Sequence, residues 1–248
     1  MSRYFIHSKS AYYGVLCALP LLAAYELLLW GIGSHSGLQV RNAADVWLRV
    51  LLESLGLGPA QATLAIIGLL IASIPLLRRG EIRLEGRYLV LMLGEALVYS
   101  LALGIVINLL LYVLLYTWLT AATAIAAAGP LLVPLALPDA RTALAGIALS
   151  LGAGLFEEFA FRVMLLALLL GLFGLVLPRK WAAFLAIVCA ALAFSLAHYG
   201  GSLGEPFSLH TLLYRWLAGL LFTLLYYRRG FAIAAWSHAL YDVWVLLL

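Results

Sequence analysis

Apolar positions in this chain come in long unbroken runs, not in the alternation of a strand or the one-sided stripe of a soluble helix. Such runs occupy Ala11–Gly31, Ala60–Leu77, Tyr88–Leu119, Trp181–His198, Leu209–Tyr227 and Phe231–Leu248. A helix needs about 20 apolar residues to cross a bilayer. Backbone in lipid must satisfy its own hydrogen bonds, which leaves helices or a closed barrel. Barrel strands alternate and these runs do not, so the runs are helices. A further helix is predicted from Asp139, as N-cap, to about Phe173, with Gly152 and Gly154 allowing a bend. Between Asn42 and Leu55, Asp45, Arg49 and Glu53 interleave with Val46, Trp47, Val50 and Leu51, which predicts a helix lying in the interface. Thr120–Pro138 carries Pro130, Pro134 and Pro138 and reads as a loop. The pattern predicts an all-α, polytopic transmembrane bundle of about seven spans, with eight as the upper count, plus the interfacial helix. Residues 1–248 are expected to form a single integral membrane domain.

Composition sharpens this picture. The chain is 66% hydrophobic and only 10% charged, whereas a soluble domain is about 45–50% apolar and about 25% charged. The net charge of +4 comes mostly from arginines beside the apolar runs, so it bears on membrane orientation and gives no support to a nucleic-acid partner. Arg3 and Lys9, the Arg78–Arg87 loop, Arg179-Lys180 and Arg228-Arg229 fall on one side of a seven-span layout. The loops at 120–138 and 199–208 lack Lys and Arg and fall on the other. The expectation is an inner or plasma membrane, with the N-terminus cytoplasmic and the C-terminus outside. Arg41, Arg49 and Arg141 are exceptions, the first two partly offset by Asp45 and Glu53. Tyr12, Tyr13 and Trp30 read as interface anchors, and His7, His35 and His210 as surface residues. No cleavable signal is expected at the first run, which has full span length and no small-residue cleavage site. Cys17 and Cys189 are isolated and imply no disulfide framework.

Few ionisable residues lie inside spans, where each costs about 2.5–3.5 kcal/mol on insertion scales and needs a partner or a purpose. Glu26 and Glu95 read as structural, each a partner for Arg215 or another buried cation. Glu157 and Glu158 are adjacent in an apolar run. Glu158 and Arg162 stand i,i+4 and can pair, which leaves Glu157 pointing about 100° away. Arg215 is the alternative partner for Glu157 in a purely structural reading. His238 and Asp242 share one face of the last helix, and His198 ends another. Glu157, His198, His238 and Asp242 can together activate a water, one carboxylate as base with imidazoles orienting the water or meeting an oxyanion. The same four can instead hold zinc. His-Glu-x-x-His is absent. Gly219 and Thr223 have the small-x-x-x-small spacing of close helix packing.

The motifs Glu157-Glu158-x-x-x-Arg162, Phe194-x-x-x-His198 and His238-x-x-x-Asp242 resemble, in order, the three-motif pattern of the CPBP (Abi) family, which includes the type II CAAX prenyl proteases. The resemblance implies that 139–248 carries the catalytic core of a glutamic-type intramembrane endopeptidase without a cofactor. It implies Glu157 as general base, His198 holding the water, and His238 and Asp242 at the oxyanion. Glu158, Arg162 and Phe194 are implied to support the site. Prenyl proteases typically carry Asn where this chain has Asp242. An ionised Asp cannot donate to an oxyanion, so a zinc-dependent version stays open. The implied partner is a membrane-embedded or lipidated protein, either prenylated or bearing a C-terminal sorting tail, in a site biased outward. The competing readings are a non-enzymatic membrane immunity or scaffold protein and a proton-coupled transporter. The latter needs a polar path across the bilayer, and the buried polar groups instead concentrate in the motif-bearing spans.

Overall fold

The computed structural model describes residues 3–36, 40–78, 82–119, 140–201 and 204–247. Among them the elements are α1 (Arg3–Ser8), α2 (Ala11–Ser36), α3 (Ala43–Ser54), α4 (Pro59–Leu77), α5 (Gly86–Leu119), α6 (Ala140–Gly152), α7 (Leu166–Gly174), α8 (Arg179–Ala197), α9 (Leu209–Arg229) and α10 (Phe231–Leu247). Two π-helical segments, Ala153–Glu157 and Phe159–Leu165, join α6 to α7, so the backbone stays helical from 140 to 174. Among the described residues, α2, α4, α5, α8 and α9 are long and apolar enough to cross a membrane. The α6–α7 rod and the shorter apolar α10 lie where the other two expected spans fall. The protein is an all-α polytopic bundle and an integral membrane protein. The loop read over 120–138 and the cap at Asp139 lie outside the described residues.

The outer surface of the bundle is apolar, as a bilayer requires: Leu64, Leu76, Ile105, Leu175 and Val176 are all exposed. The centre belongs to α10, which packs on α2, α5, α6, α9 and both π-helical segments. Its Ala232, Ala234, Ala235 and Ala239 are buried, and small side chains let helix backbones approach where lipid offers no hydrophobic drive. The same logic acts in the rod. A Cβ on Gly154 would lie 2.4 Å from the Ala235 carbonyl oxygen and 2.6 Å from Ala239 Cβ. A Cβ on Gly152 would lie 2.7 Å from the Tyr25 ring and 2.9 Å from Asn42 Cβ. The two glycines thus seat α10, α2 and the start of α3 against the stretch that carries the glutamates. Gly219 likewise packs on Ala191 of α8, as its spacing predicts.

Helix α3 is amphipathic in the inverted sense. It buries Asp45 and Arg49 against the protein and exposes Val46, Trp47, Val50 and Leu51. Arg41 bridges Asp45 at 2.7 Å and Glu26 at 3.1 Å, and Arg49 bridges Asp45 at 2.8 Å and Glu26 at 2.6 Å. Tyr25 O–H donates to Asp45 as well. Five polar side chains therefore clamp α3 to α2, with Glu26 rather than Glu53 as the second counter-charge.

Several expected placements change. Tyr12 and Tyr13 are buried rather than lipid-facing anchors. Tyr13 O–H donates to the Arg83 carbonyl and accepts from Glu85 N–H, so it pins the charged loop from inside. Trp30 is exposed, as an anchor should be. His7 is buried, donating from Nδ1 to the Arg3 carbonyl, because α1 folds onto α5 and α2. Glu95 meets a buried cation, as expected, but the cation is Arg229 and not Arg215. It holds Arg229, whose Nη2 is 2.6 Å from its Oε2, and it accepts from Tyr4 O–H. Arg215 pairs with Glu205 instead of a buried glutamate.

Candidate active site

A cavity of about 420 Å³ opens between α8, α9, α10 and the first π-helical segment. Its lining includes Glu157, Phe194, His198, His238 and Asp242, with Tyr214, Phe222 and Val245 as apolar walls. All four residues read as catalytic from the sequence, and Phe194, thus meet at one space. A second, water-sized cavity of about 50 Å³ lies on the α3 side, between Trp47, Phe161, Glu157 and His198. Glu157 and His198 form the wall shared by the two.

The paired glutamates diverge because neighbours on a helix point about 100° apart. Glu157 is half-buried at the cavity and Glu158 is fully buried behind it. Glu157 Oε1 accepts a 2.7 Å hydrogen bond from Asn42 Nδ2. Arg215 plays no part in holding it. Glu158 Oε1 meets two cations or potential cations, Arg162 Nη1 at 3.0 Å and His238 Nδ1 at 2.7 Å. Arg162 is not aligned for a hydrogen bond to Glu158. Its guanidinium is faced instead by the rings of Phe194 at 4.5 Å and Phe222 at 5.7 Å. A charge excluded from water gains from such ring faces. Phe194 also meets Phe161, His198 and His238 edge-on, and Phe222 stacks on His238 at 4.5 Å. Ring packing and one carboxylate oxygen therefore fix the orientation of His238.

Partners on the other ring nitrogens define what each imidazole can do. His198 Nδ1 lies 2.9 Å from the Phe194 carbonyl. A carbonyl only accepts, so Nδ1 carries the hydrogen and Nε2 of the neutral ring is an acceptor. His238 donates from Nδ1 to Glu158, and its Nε2 stands 3.5 Å from Asp242 Oδ2. One proton between Nε2 and Asp242 is enough to make that pair a donor toward the cavity. At the rim, Arg215 donates to Glu205 at 2.5 Å. That hydrogen bond holds the Glu205 carboxyl below its usual range, so the contact persists until pH falls below ordinary carboxylate titration.

Residues 139–244 match the family model described as type II CAAX prenyl endopeptidase Rce1-like. Over this region, somewhat less than half of the chain, the protein is similar to that family. No curated protein and no solved structure matches it.

The Rce1-like region contains every motif residue named above but ends short of the N-terminal half. Asn42 lies outside it and is the polar partner of Glu157 that the motif reading missed. Its only sequence signal is local: Asn immediately before a helix is an N-cap, and Asn42 Oδ1 does accept from Ala44 N–H at 2.9 Å. Nothing local says where the other half of the amide points. Among the described residues no three His, Cys, Asp or Glu side chains gather as metal ligands. Glu157 is engaged by Asn42, and His238 by Glu158.

Proposed function

We propose that the protein is an intramembrane endopeptidase that hydrolyses a peptide bond of a membrane-associated protein, with Glu157 activating the water. The observation that carries this reading is the cavity wall itself. Glu157, with one oxygen held by Asn42, stands beside His198, His238 and Asp242 in a space of about 420 Å³, within the range of small-ligand sites. A water between Glu157 Oε2 and His198 Nε2 gives one hydrogen to each acceptor and turns a lone pair to the scissile carbonyl. Glu157 takes the proton as the C–O bond forms. The His238–Asp242 pair, with one proton between the two, donates to the tetrahedral oxyanion. As the C–N bond breaks, Glu157 returns its proton to the leaving nitrogen, so atoms and charge balance without a redox partner.

The finer assignments follow from that reading. Glu157, His198, His238 and Asp242 are catalytic, and Glu158, Arg162 and Phe194 hold them. Residues 139–248 are the catalytic core of a single membrane domain spanning 1–248. The water is activated without a metal. The apolar walls at Tyr214, Phe222 and Val245 suit an apolar peptide segment, such as the tail of a prenylated or sorted membrane protein. The charge pattern favours an inner or plasma membrane with the N-terminus cytoplasmic.

The test is cleavage of fluorogenic prenyl-peptides and a membrane-peptide library by detergent-purified protein. Glu157→Gln keeps shape and loses the base, so cleavage should fall by at least about 10²–10⁴-fold while the protein stays folded. Chelator should leave wild-type cleavage unchanged. Equal cleavage by wild type and Glu157→Gln would sink the proposal. Loss with chelator and recovery with zinc would replace the metal-free mechanism with a zinc site at Glu157, His198, His238 and Asp242.

A further inference from the structure

Asn42 comes from the N-terminal part of the chain and engages its backbone N–H and both ends of its side-chain amide. Its backbone N–H donates to Tyr25 Oη at 3.1 Å, its Oδ1 accepts from Ala44 N–H at 2.9 Å, and its Nδ2 donates to Glu157 Oε1 at 2.7 Å. The two halves of the amide check each other. Oδ1 must face the Ala44 N–H, so the group facing Glu157 is the NH2, which only donates. Turning the amide over would set N–H against N–H and a carbonyl against a carboxylate, two repulsions in a place only 7% exposed.

The residue is held from three sides. Arg41 and Arg49, before and after it, are clamped to Glu26 on α2 and to Asp45. Tyr25 bridges its backbone to Asp45. Gly152, one turn before Glu157, brings the rod's backbone against Asn42 Cβ. A helix cap alone needs only Oδ1, so the cap leaves Nδ2 unexplained.

We propose that Asn42 is a positioning residue for the catalytic base, which rests on reading Glu157 as that base. A glutamate's terminal torsion is broad and roughly two-fold, so a free carboxylate samples many orientations. The Asn42 donor engages Oε1 and leaves Oε2 to face the water. The clamp on α3 thereby becomes part of the site: the helix that lines the smaller cavity beside Glu157 sets the angle of the base.

Two variants separate positioning from capping. Ser and Asp both cap helices well. Asn42→Ser keeps the cap but ends short of Glu157, and Asn42→Asp keeps the cap but replaces the donor with an acceptor. Asn42→Ser should melt near wild type in detergent and lower kcat by about 10- to 100-fold with KM unmoved. Asn42→Asp, which sets a second carboxylate against Glu157, should lose more activity and melt lower. Wild type and Glu157→Gln are run alongside. If both Asn42 variants match wild type in kcat while Glu157→Gln is inactive, the positioning role falls and the protease reading stands. If they lose activity only in proportion to a lowered melting temperature, Asn42 is a cap and the inference falls. If wild type and Glu157→Gln do not differ, the protease reading falls and takes this inference with it.

Discussion

Glu157 and Glu158 are chemically identical neighbours that do different work because of what each faces. Glu158 is fully buried against Arg162 and His238, and burying a lone charge costs more than its pair returns. Glu158→Gln should therefore cost about 3–5 kcal/mol, since it leaves the Arg162 charge enclosed with only ring faces for company. Arg162→Met should cost about as much for the mirror-image reason. The double variant should cost clearly less than the sum, because each change removes the group that the other leaves stranded. Chemical unfolding in detergent measures all three, and full additivity would show that the two residues do not act as a pair. Their spacing makes this pairing legible in the sequence. That His238 leans on the same oxygen is not, because it depends on where α10 sits against the rod.

At the scale of elements, the glutamates lie on a stretch whose backbone is widened to π-helical geometry, a feature often found at functional sites. The flanking glycines account for its close packing. Gly154→Ala would drive a methyl into the Ala235 carbonyl, which is backbone and cannot swing aside. It should cost about 1–3 kcal/mol and reduce cleavage too, since Ala235 and Ala239 bracket His238 on α10. Gly171→Ala, farther along the same rod with open space around it, should be neutral or stabilising by up to about 1 kcal/mol. Thermal unfolding of the two variants checks the contrast, and equal effects would remove close packing as the reason for Gly154. Helix α3 gives the complementary case. Its alternation of charged and apolar residues predicts an amphipathic helix. Which face turns inward was decided by the bilayer, which takes Trp47 and Val50, and by Glu26, which draws in the arginines.

For the whole molecule, the apolar exterior and the long apolar helices make a membrane-embedded bundle, and the charges at the helix ends bear on its orientation. The structure removes two exceptions to the charge rule, since Arg41 and Arg49 are neutralised by Glu26 and Asp45. It also withdraws one supporting charge, because Arg229 is turned inward to Glu95. The remaining arginines at Arg78, Arg83, Arg87 and Arg179 still favour one face. Single cysteines at positions 83 and 205, in a background lacking Cys17 and Cys189, should label from the cytoplasmic and the external side respectively. The reverse labelling would invert the orientation and open the cavity's Glu205 rim to the cytoplasm.

The sequence by itself determined the helical class, the limits of the long apolar helices, and which few ionisable residues had to be explained. These are properties of runs and short spacings, read along one helix at a time. Tertiary structure alone decided the partners. Asn42 meets Glu157 across 115 positions, His238 meets Glu158 across 80, and Arg229 meets Glu95 across 134. In each case a buried polar group took the partner that helix packing brought within reach, because leaving it unpaired inside the bundle is costly. No periodicity encodes that choice. It follows from small residues on α10 and glycines on the rod, which set how closely the helices approach and hence which side chains meet.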